Sequence, residues 1–209
     1  MIRGFQMNKF KEIAATRASI SKRRLVYGVG INDANYMVCV NIDGKKTKCP
    51  YYSRWSGMLE RCYSKKYLAK KPTYIGCSVS NEWLTFSNFK KWMELQDWKE
   101  KELDKDILIQ GNKVYSSSTC VFVDMEINAL LNTNKASRGK HKQGVIWCED
   151  IGKFRSRVNN HGKKKHLGYF SSEDEASEAY ITERLLYVKS VAMGQNEPIR
   201  SALLRHKFS

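Results

Sequence analysis

The chain has 209 residues, 42% of them hydrophobic and 28% charged, with a formal net charge of +16. That length allows one large domain or two small ones, and the basic excess favours a polyanion as partner, most often nucleic acid. No run approaches the roughly 18 apolar residues of a membrane span, and residues 1–20 lack the apolar stretch of a secretory signal, so the expectation is a cytoplasmic protein with no membrane partner.

Six cysteines stand at positions 39, 49, 62, 77, 120 and 148, none in a C-x-x-C pair, and no histidine precedes His141. A zinc site needs four ligands, usually in close pairs. Free thiols serving as small apolar residues are expected, with no structural zinc.

Residues 1–25 are polar and basic and predict an arm with at most a short helix near Ile13–Ala15. Val26–Gly30 and Tyr36–Ile42 are apolar runs, and Asp43-Gly44 is a tight-turn signal, so residues 26–50 predict a hairpin. Tyr52, Trp55, Leu59 and Cys62 recur at helical spacing, predicting a helix over 51–68. Lys65, Lys66, Lys70 and Lys71 form a basic surface at its end. A short strand is expected over Tyr74–Val79. A second helix is expected over Trp83–Trp98, with Trp83, Phe86, Phe89, Trp92 and Met93 as its core face rather than a stacking platform for bases.

Residues 103–131 predict a strand at Leu103–Ile107, a turn at Gly111, an extended run over Thr119–Val123 and a short helix carrying Asn128. Residues 132–142 are polar and basic and predict a linker. Next come three short alternating segments, Gln143–Trp147, Gly152–Val158 and His166–Phe170, which read as strands. A helix follows, N-capped by Ser171 or Ser172, with acids in its first turn and Ala176, Ala179 and Tyr180 on its apolar face. On the middle strand Phe154, Ser156 and Val158 should lie under the helix, while Lys153, Arg155, Arg157 and Asn159 face outward. His161 and Lys163-Lys164-Lys165 are expected in the turn that follows. Between Lys135 and His166 ten Lys or Arg stand against only Glu149 and Asp150, which marks where a polyanion would sit. The tail predicts only a short helix at Ile199–Leu204. The expected class is therefore α+β.

Two resemblances accompany these patterns. Gly144-Val145, Gly152-Lys153-Phe154, Leu167-Gly168-Tyr169-Phe170 and Glu173-x-Glu175-Ala176-x-x-Ala179-Tyr180 resemble the plant Apetala-two (ethylene-response-factor) DNA-binding domain, in the form found beside phage and homing endonucleases. The resemblance implies contact with double-stranded DNA through Gln143, Lys153, Arg155, Arg157, Asn159 and His166; Lys163, Lys164 and Lys165, from their place in the turn at the sheet's edge, are expected as phosphate contacts. Ile146, Cys148, Glu149 and Asp150 depart from the family's more basic first turn.

Tyr52-x-x-Trp55-x-x-Met58-Leu59-x-Arg61-Cys62-Tyr63 and Cys77-x-Val79-x-x-x-Trp83-x-x-Phe86-x-x-Phe89, ahead of residues 103–131, resemble a phage branch of the HNH endonuclease family. That implies a ββα-containing module with a divalent metal, Mg2+ or Mn2+, on the scissile phosphate. Asp104 and Asp106 would be its metal ligands, and Asp104, Lys105 and Asn128 the catalytic positions. Lys105 stands where the family has its general-base histidine, and it serves as a base only if burial depresses its pKa.

The resulting division is a basic arm (1–25), an HNH-like module (26–131), a linker (132–142), an Apetala-two-type domain (143–192) and a tail (193–209). The expected function is a phage or mobile-element homing-type endonuclease acting on DNA in the host cytoplasm. The alternative is a non-catalytic DNA-binding protein on a degenerate nuclease fold, regulating or inhibiting a host enzyme.

Overall fold

The computed structural model describes residues 10–131, 140–160 and 162–207. Residues 1–9 of the expected arm, 132–139 of the expected linker, His161 and the last two positions of the tail lie outside them. The chain is mixed helix and sheet, as expected. It divides into two compact units: the chain to Asp106 with Gly111–Phe122, and Ile107–Gln110 with the chain from Val123 onward. The division thus falls near Val123, not in the expected linker. Among the described residues no helix is long and apolar enough to cross a membrane.

In the N-terminal unit the described part of the expected arm is not free. It contains helix α1 (Arg17–Ser21), capped by the Thr16 side chain. Ala15 N–H donates to the Asn35 carbonyl, and Met37 N–H to the Ile13 carbonyl. The Arg23 guanidinium donates to the carbonyls of Asn32, Ala34 and Tyr36, so this arginine clasps a loop rather than waiting for phosphate. The expected hairpin forms only around Asp43-Gly44, both at positive φ, between β1 (Cys39–Ile42) and β2 (Lys45–Lys48). Val26–Gly30 is not a strand. It curls so that Val26 bridges Gly30, and a Cβ on Gly30 would lie 2.3 Å from Leu59 Cδ1.

The expected long helix is two: α2 (Pro50–Tyr63) and α3 (Lys65–Lys70). Ser64 is extended between them, and its hydroxyl accepts from Tyr67 N–H to start the second. A 3-10 turn follows at Pro72–Tyr74, and the expected strand shrinks to β3 (Ser78–Val79). A second 3-10 turn at Asn81–Leu84 precedes α4 (Phe86–Glu94), which replaces the predicted 83–98 helix. Of the predicted core face Trp83, Phe86, Phe89 and Met93 are fully or almost fully buried, with Trp55, Met58 and Leu59 of α2, while Trp92 is half-buried against them. Trp55 Nε1 donates to the Trp83 carbonyl at 2.7 Å, joining α2 to the segment before α4. Each such side chain contributes about 1.5–3 kcal/mol on burial. Strand β4 (Glu102–Asp104) pairs with β6 (Val121–Val123), and β5 (Val114–Tyr115) runs parallel to β3.

The C-terminal unit holds α5 (Met125–Leu131) and the antiparallel sheet β7 (Val145–Cys148), β8 (Lys153–Asn160) and β9 (Lys163–Phe170), in that order. Helix α6 (Glu173–Met193) covers one sheet face. Ser172 caps it, in a capping box with Glu175. The tail is part of this unit: α7 (Ile199–Arg205) packs on α6 with Ala202 and Leu203 buried, and Gln110 exchanges hydrogen bonds with the Lys207 backbone. Helix α5 is tied to α6 by Arg184 Nη2 donating to the Leu130 carbonyl and the Tyr187 hydroxyl donating to Glu126. This is why the boundary lies ahead of α5. His141 and Lys142, placed in the linker by sequence, bind the first turn of α6: Lys142 N–H donates to Glu173, whose carboxylate also meets His141 Nδ1 at 3.3 Å.

Gly144 has φ +79, and an added Cβ would fall 2.1 Å from Tyr180 Cδ2. Gly144→Ala combines left-handed backbone strain with displacement of a packed ring, and should lower the stability of the C-terminal unit by about 2–4 kcal/mol. Gly152→Ala meets open space at φ +64 and should cost only the strain. Urea denaturation followed at the Trp147 indole resonance compares the two, and equal stabilities would refute the packing account.

Candidate nucleic-acid interface and the acidic turn of the N-terminal unit

Register decides which side chains share a sheet face. Val145 pairs with Ser156, Trp147 with Phe154, Ser156 with Gly168 and Phe154 with Phe170. Ser156 and Val158 are buried beneath α6, as are Ala176 and Tyr180 from the helix. The opposite face therefore carries Ile146, Cys148, Lys153, Arg155, Arg157, Asn159, Lys164, His166 and Tyr169. Lys153, Arg155, Arg157, Asn159 and His166 stand outward as expected.

A register shift between Ser156 and Arg157 alters the third strand. Arg157 pairs with His166, Asn159 with Lys164 and Val158 with Lys165. Lys163–Lys165 are strand residues, not a turn, because β8 and β9 extend to Asn160 and Lys163 around Gly162 at φ +73. Only Lys164 of the three shares the outward face. Lys165 stands opposite Val158 on the helix side and pairs with Glu183 of α6 at 2.9 Å, and Lys163 stands opposite Asn160 on the same side. Gln143 also departs from expectation. It precedes β7 and lines a cavity of about 380 Å³ with Leu130, Tyr180 and Arg184, on the helix side of the sheet.

Lys153, Arg155, Arg157 and Lys164 make no ion pair among the described residues. Arg155 Nε is buried without a hydrogen-bond partner. Acids of α6 find partners elsewhere: Glu173 meets the His141 ring, Asp174 meets Lys142 and Glu183 meets Lys165. The Lys142 backbone N–H and the His141 ring hold the Glu173 carboxyl below its ordinary pKa. Tyr169, opposite Arg155 and tilted at 59° against His166 with centroids 4.9 Å apart, belongs to the outward face but was not singled out from sequence. Its alternation with the half-buried Phe170 was the available signal.

In the N-terminal unit Asp104, Lys105 and Asp106 form one turn at the end of β4. Asp106 N–H donates to Asp104 Oδ1 at 2.8 Å, and Lys105 Nζ donates to Asp106 Oδ2 at 2.9 Å. The Asn112 side chain donates to the carbonyls of Lys105 and Val114, closing the loop. Asn128 lies on α5 and belongs to the C-terminal unit. Lys105 is only 7% exposed, yet its pKa is not depressed. Burial pulls the ammonium down, but the hydrogen bond and charge of Asp106, with Cys77 and Asp104, outweigh it and hold the pKa above its ordinary value. A lysine so held is charged at neutral pH.

In this turn each carboxylate already has one oxygen engaged. One Asp106 oxygen is engaged by an ammonium and one Asp104 oxygen by a backbone N–H. No group of three or more His, Cys, Asp or Glu converges among the described residues. The chain matches no family model, no curated protein and no solved structure.

A raised lysine pKa stabilises the fold at every pH below the unfolded value, about 10.4, and that contribution is lost only as pH rises through the folded pKa. Lys105 should therefore show no titration step between pH 6 and pH 10 when its Cε–Hε resonances are followed by NMR. An inflection near neutrality would restore it as a base.

Proposed function

We propose that the protein binds double-stranded DNA through the outward face of the three-stranded sheet. The observation that carries this is the sorting of charge in the C-terminal unit. Lys153, Arg155, Arg157 and Lys164 share one sheet face without ion-pair partners among the described residues, while Asp174 and Glu183 pair with lysines off that face and Glu173 meets the His141 ring. A β-ribbon is admitted by the major groove, about 12 Å wide. Arg155 and Arg157, at the centre of β8, are the base readers. Lys153 and Lys164 are phosphate contacts. The likeness to the Apetala-two domain supports the same face, through Lys153, Arg155, Arg157, Asn159 and His166.

The N-terminal unit is proposed as a nuclease-related body without intact chemistry. Its Trp-rich helices support the HNH likeness, while the charged Lys105 beside Asp106 argues against a working base. Metal-dependent cleavage is the second reading, favoured by Asp104 and Asp106 sharing one turn.

Salt titration of binding to selected and random duplexes tests the first proposal. Lys164→Ala should make the slope of log K against log salt shallower by about one and weaken all sequences alike. Arg155→Ala and Arg157→Ala should each cost about 1–3 kcal/mol on the selected site. Lys165→Ala should bind as the parent does. Loss in Lys165→Ala equal to that in Lys164→Ala would move the surface away from the outward face.

Supercoiled plasmid incubated with the protein and Mg2+ or Mn2+ tests the second reading. The expected result is no nicking beyond that of Asp104→Ala. Nicking by the parent that disappears in Asp104→Ala would establish cleavage.

A further inference from the structure

Helix α3 is charged against its own dipole. Its first turn holds Lys65 and Lys66 and no acid, at the end where cations are disfavoured. Lys66 and Lys70 stand four apart, a like-charge pair that weakens a helix. Helix α6 of the same chain obeys the rule that α3 breaks, with Glu173, Asp174 and Glu175 in its first turn. From Arg61 to Asn81 the chain has five cations and no Asp or Glu.

Packing does not account for these lysines. Lys65, Lys66, Ala69 and Lys70 are exposed along one side of α3, while Tyr67 and Leu68 are half-buried on the other. Lys71, at the C-cap, is exposed as well. None of the four makes a side-chain hydrogen bond or ion pair among the described residues. The helix carrying them is well anchored. Ser64 caps it, and the Tyr67 ring meets Tyr74 of the following 3-10 turn edge-on, with centroids 5.7 Å apart. Exposed Lys113 donates to the Thr73 carbonyl of that turn at 2.8 Å and adds another cation to the corner. Asp106, the acid whose charge reaches Tyr74, pairs with Lys105. A face that only met water would gain nothing from like charges set side by side. Local rules broken without compensation mark places kept for binding.

We infer that the corner formed by α3 and the 3-10 turn is a second DNA-contacting surface, on which Lys65, Lys66, Lys70 and Lys71 neutralise backbone phosphates. It rests on the reading that the protein binds duplex DNA, but not on the sheet face being the reader. A lysine ammonium is a point charge with no fixed fork. Phosphate contacts of this kind add affinity and carry no sequence information. The division of labour is then clear: arginines of β8 choose the site, and lysines of the N-terminal unit hold the backbone.

The test uses the full chain with all four lysines changed together, Lys65→Gln, Lys66→Gln, Lys70→Gln and Lys71→Gln. Binding to selected and random duplexes is measured over a salt series, beside Arg155→Ala. The fourfold variant should make the slope of log K against log salt shallower by about 3–4. It should weaken both duplexes alike and leave their affinity ratio unchanged, whereas Arg155→Ala should lower that ratio. A fourfold variant that binds like the parent at every salt concentration overturns the proposal, and a reduced ratio in Arg155→Ala would still uphold the sheet face. An unchanged ratio in Arg155→Ala with a shallower slope in the fourfold variant upholds the corner and removes the sheet. A parent that binds no duplex overturns both. Lys66→Glu separates binding from folding, because it places an acid in the first turn and opposite Lys70. It should weaken duplex binding without lowering the midpoint of thermal unfolding. A lowered midpoint would mean that the fold itself needs the lysine, and would also overturn the proposal.

Discussion

Three strands have two faces, and α6 can cover only one of them. That constraint orders the C-terminal unit. Phe154, Ser156 and Val158 take the covered side, so period two forces Lys153, Arg155, Arg157 and Asn159 to the other. The helix must lie close, which explains Ser156 at the centre and the bare backbone of Gly144 under the Tyr180 ring. The shift after Ser156 then assigns Lys164 outward and Lys165 inward, where Glu183 meets it. Charge on the outward face is thus a product of packing on the inward one.

The N-terminal unit is organised by a different contact. Trp55 and Trp83 are fully buried, and the indole N–H of one meets the backbone beside the other. Around them Phe86, Phe89 and Met93 join α4 to α2. Arg54 reaches from α2 to the Lys101 carbonyl and Glu102, at the start of β4. The acidic turn after β4 is therefore set on that core, and Lys105 is held charged by its neighbour Asp106.

Much of this was legible in the sequence. Strong periodicity gave the Trp-rich core, the Asp43-Gly44 turn, the three C-terminal strands and the cap of α6, because each rests on local chemistry. What failed was non-local. Val26–Gly30 looks like a strand, yet Gly30 is needed bare against Leu59. Arg23 looks like a free basic residue, yet three carbonyls from a distant loop claim it. The side occupied by Lys165 depends on a one-residue bulge, and alternation alone cannot reveal a bulge. The allegiance of α5 rests on Arg184 and Tyr187, more than fifty positions away in the chain.

The cysteines carry a last consequence. Cys49, Cys62, Cys77 and Cys120 are buried, and burial pushes Cys62 and Cys120 up to about 12. At neutral pH those two are thiols with almost no thiolate, and so are chemically quiet. Cys39 and Cys148 are half-buried, and Cys148 closes β7, opposite Lys153 on the outward sheet face. The chain thus carries a native attachment point for a fluorophore or spin label at the margin of its basic surface, without any residue having to be introduced.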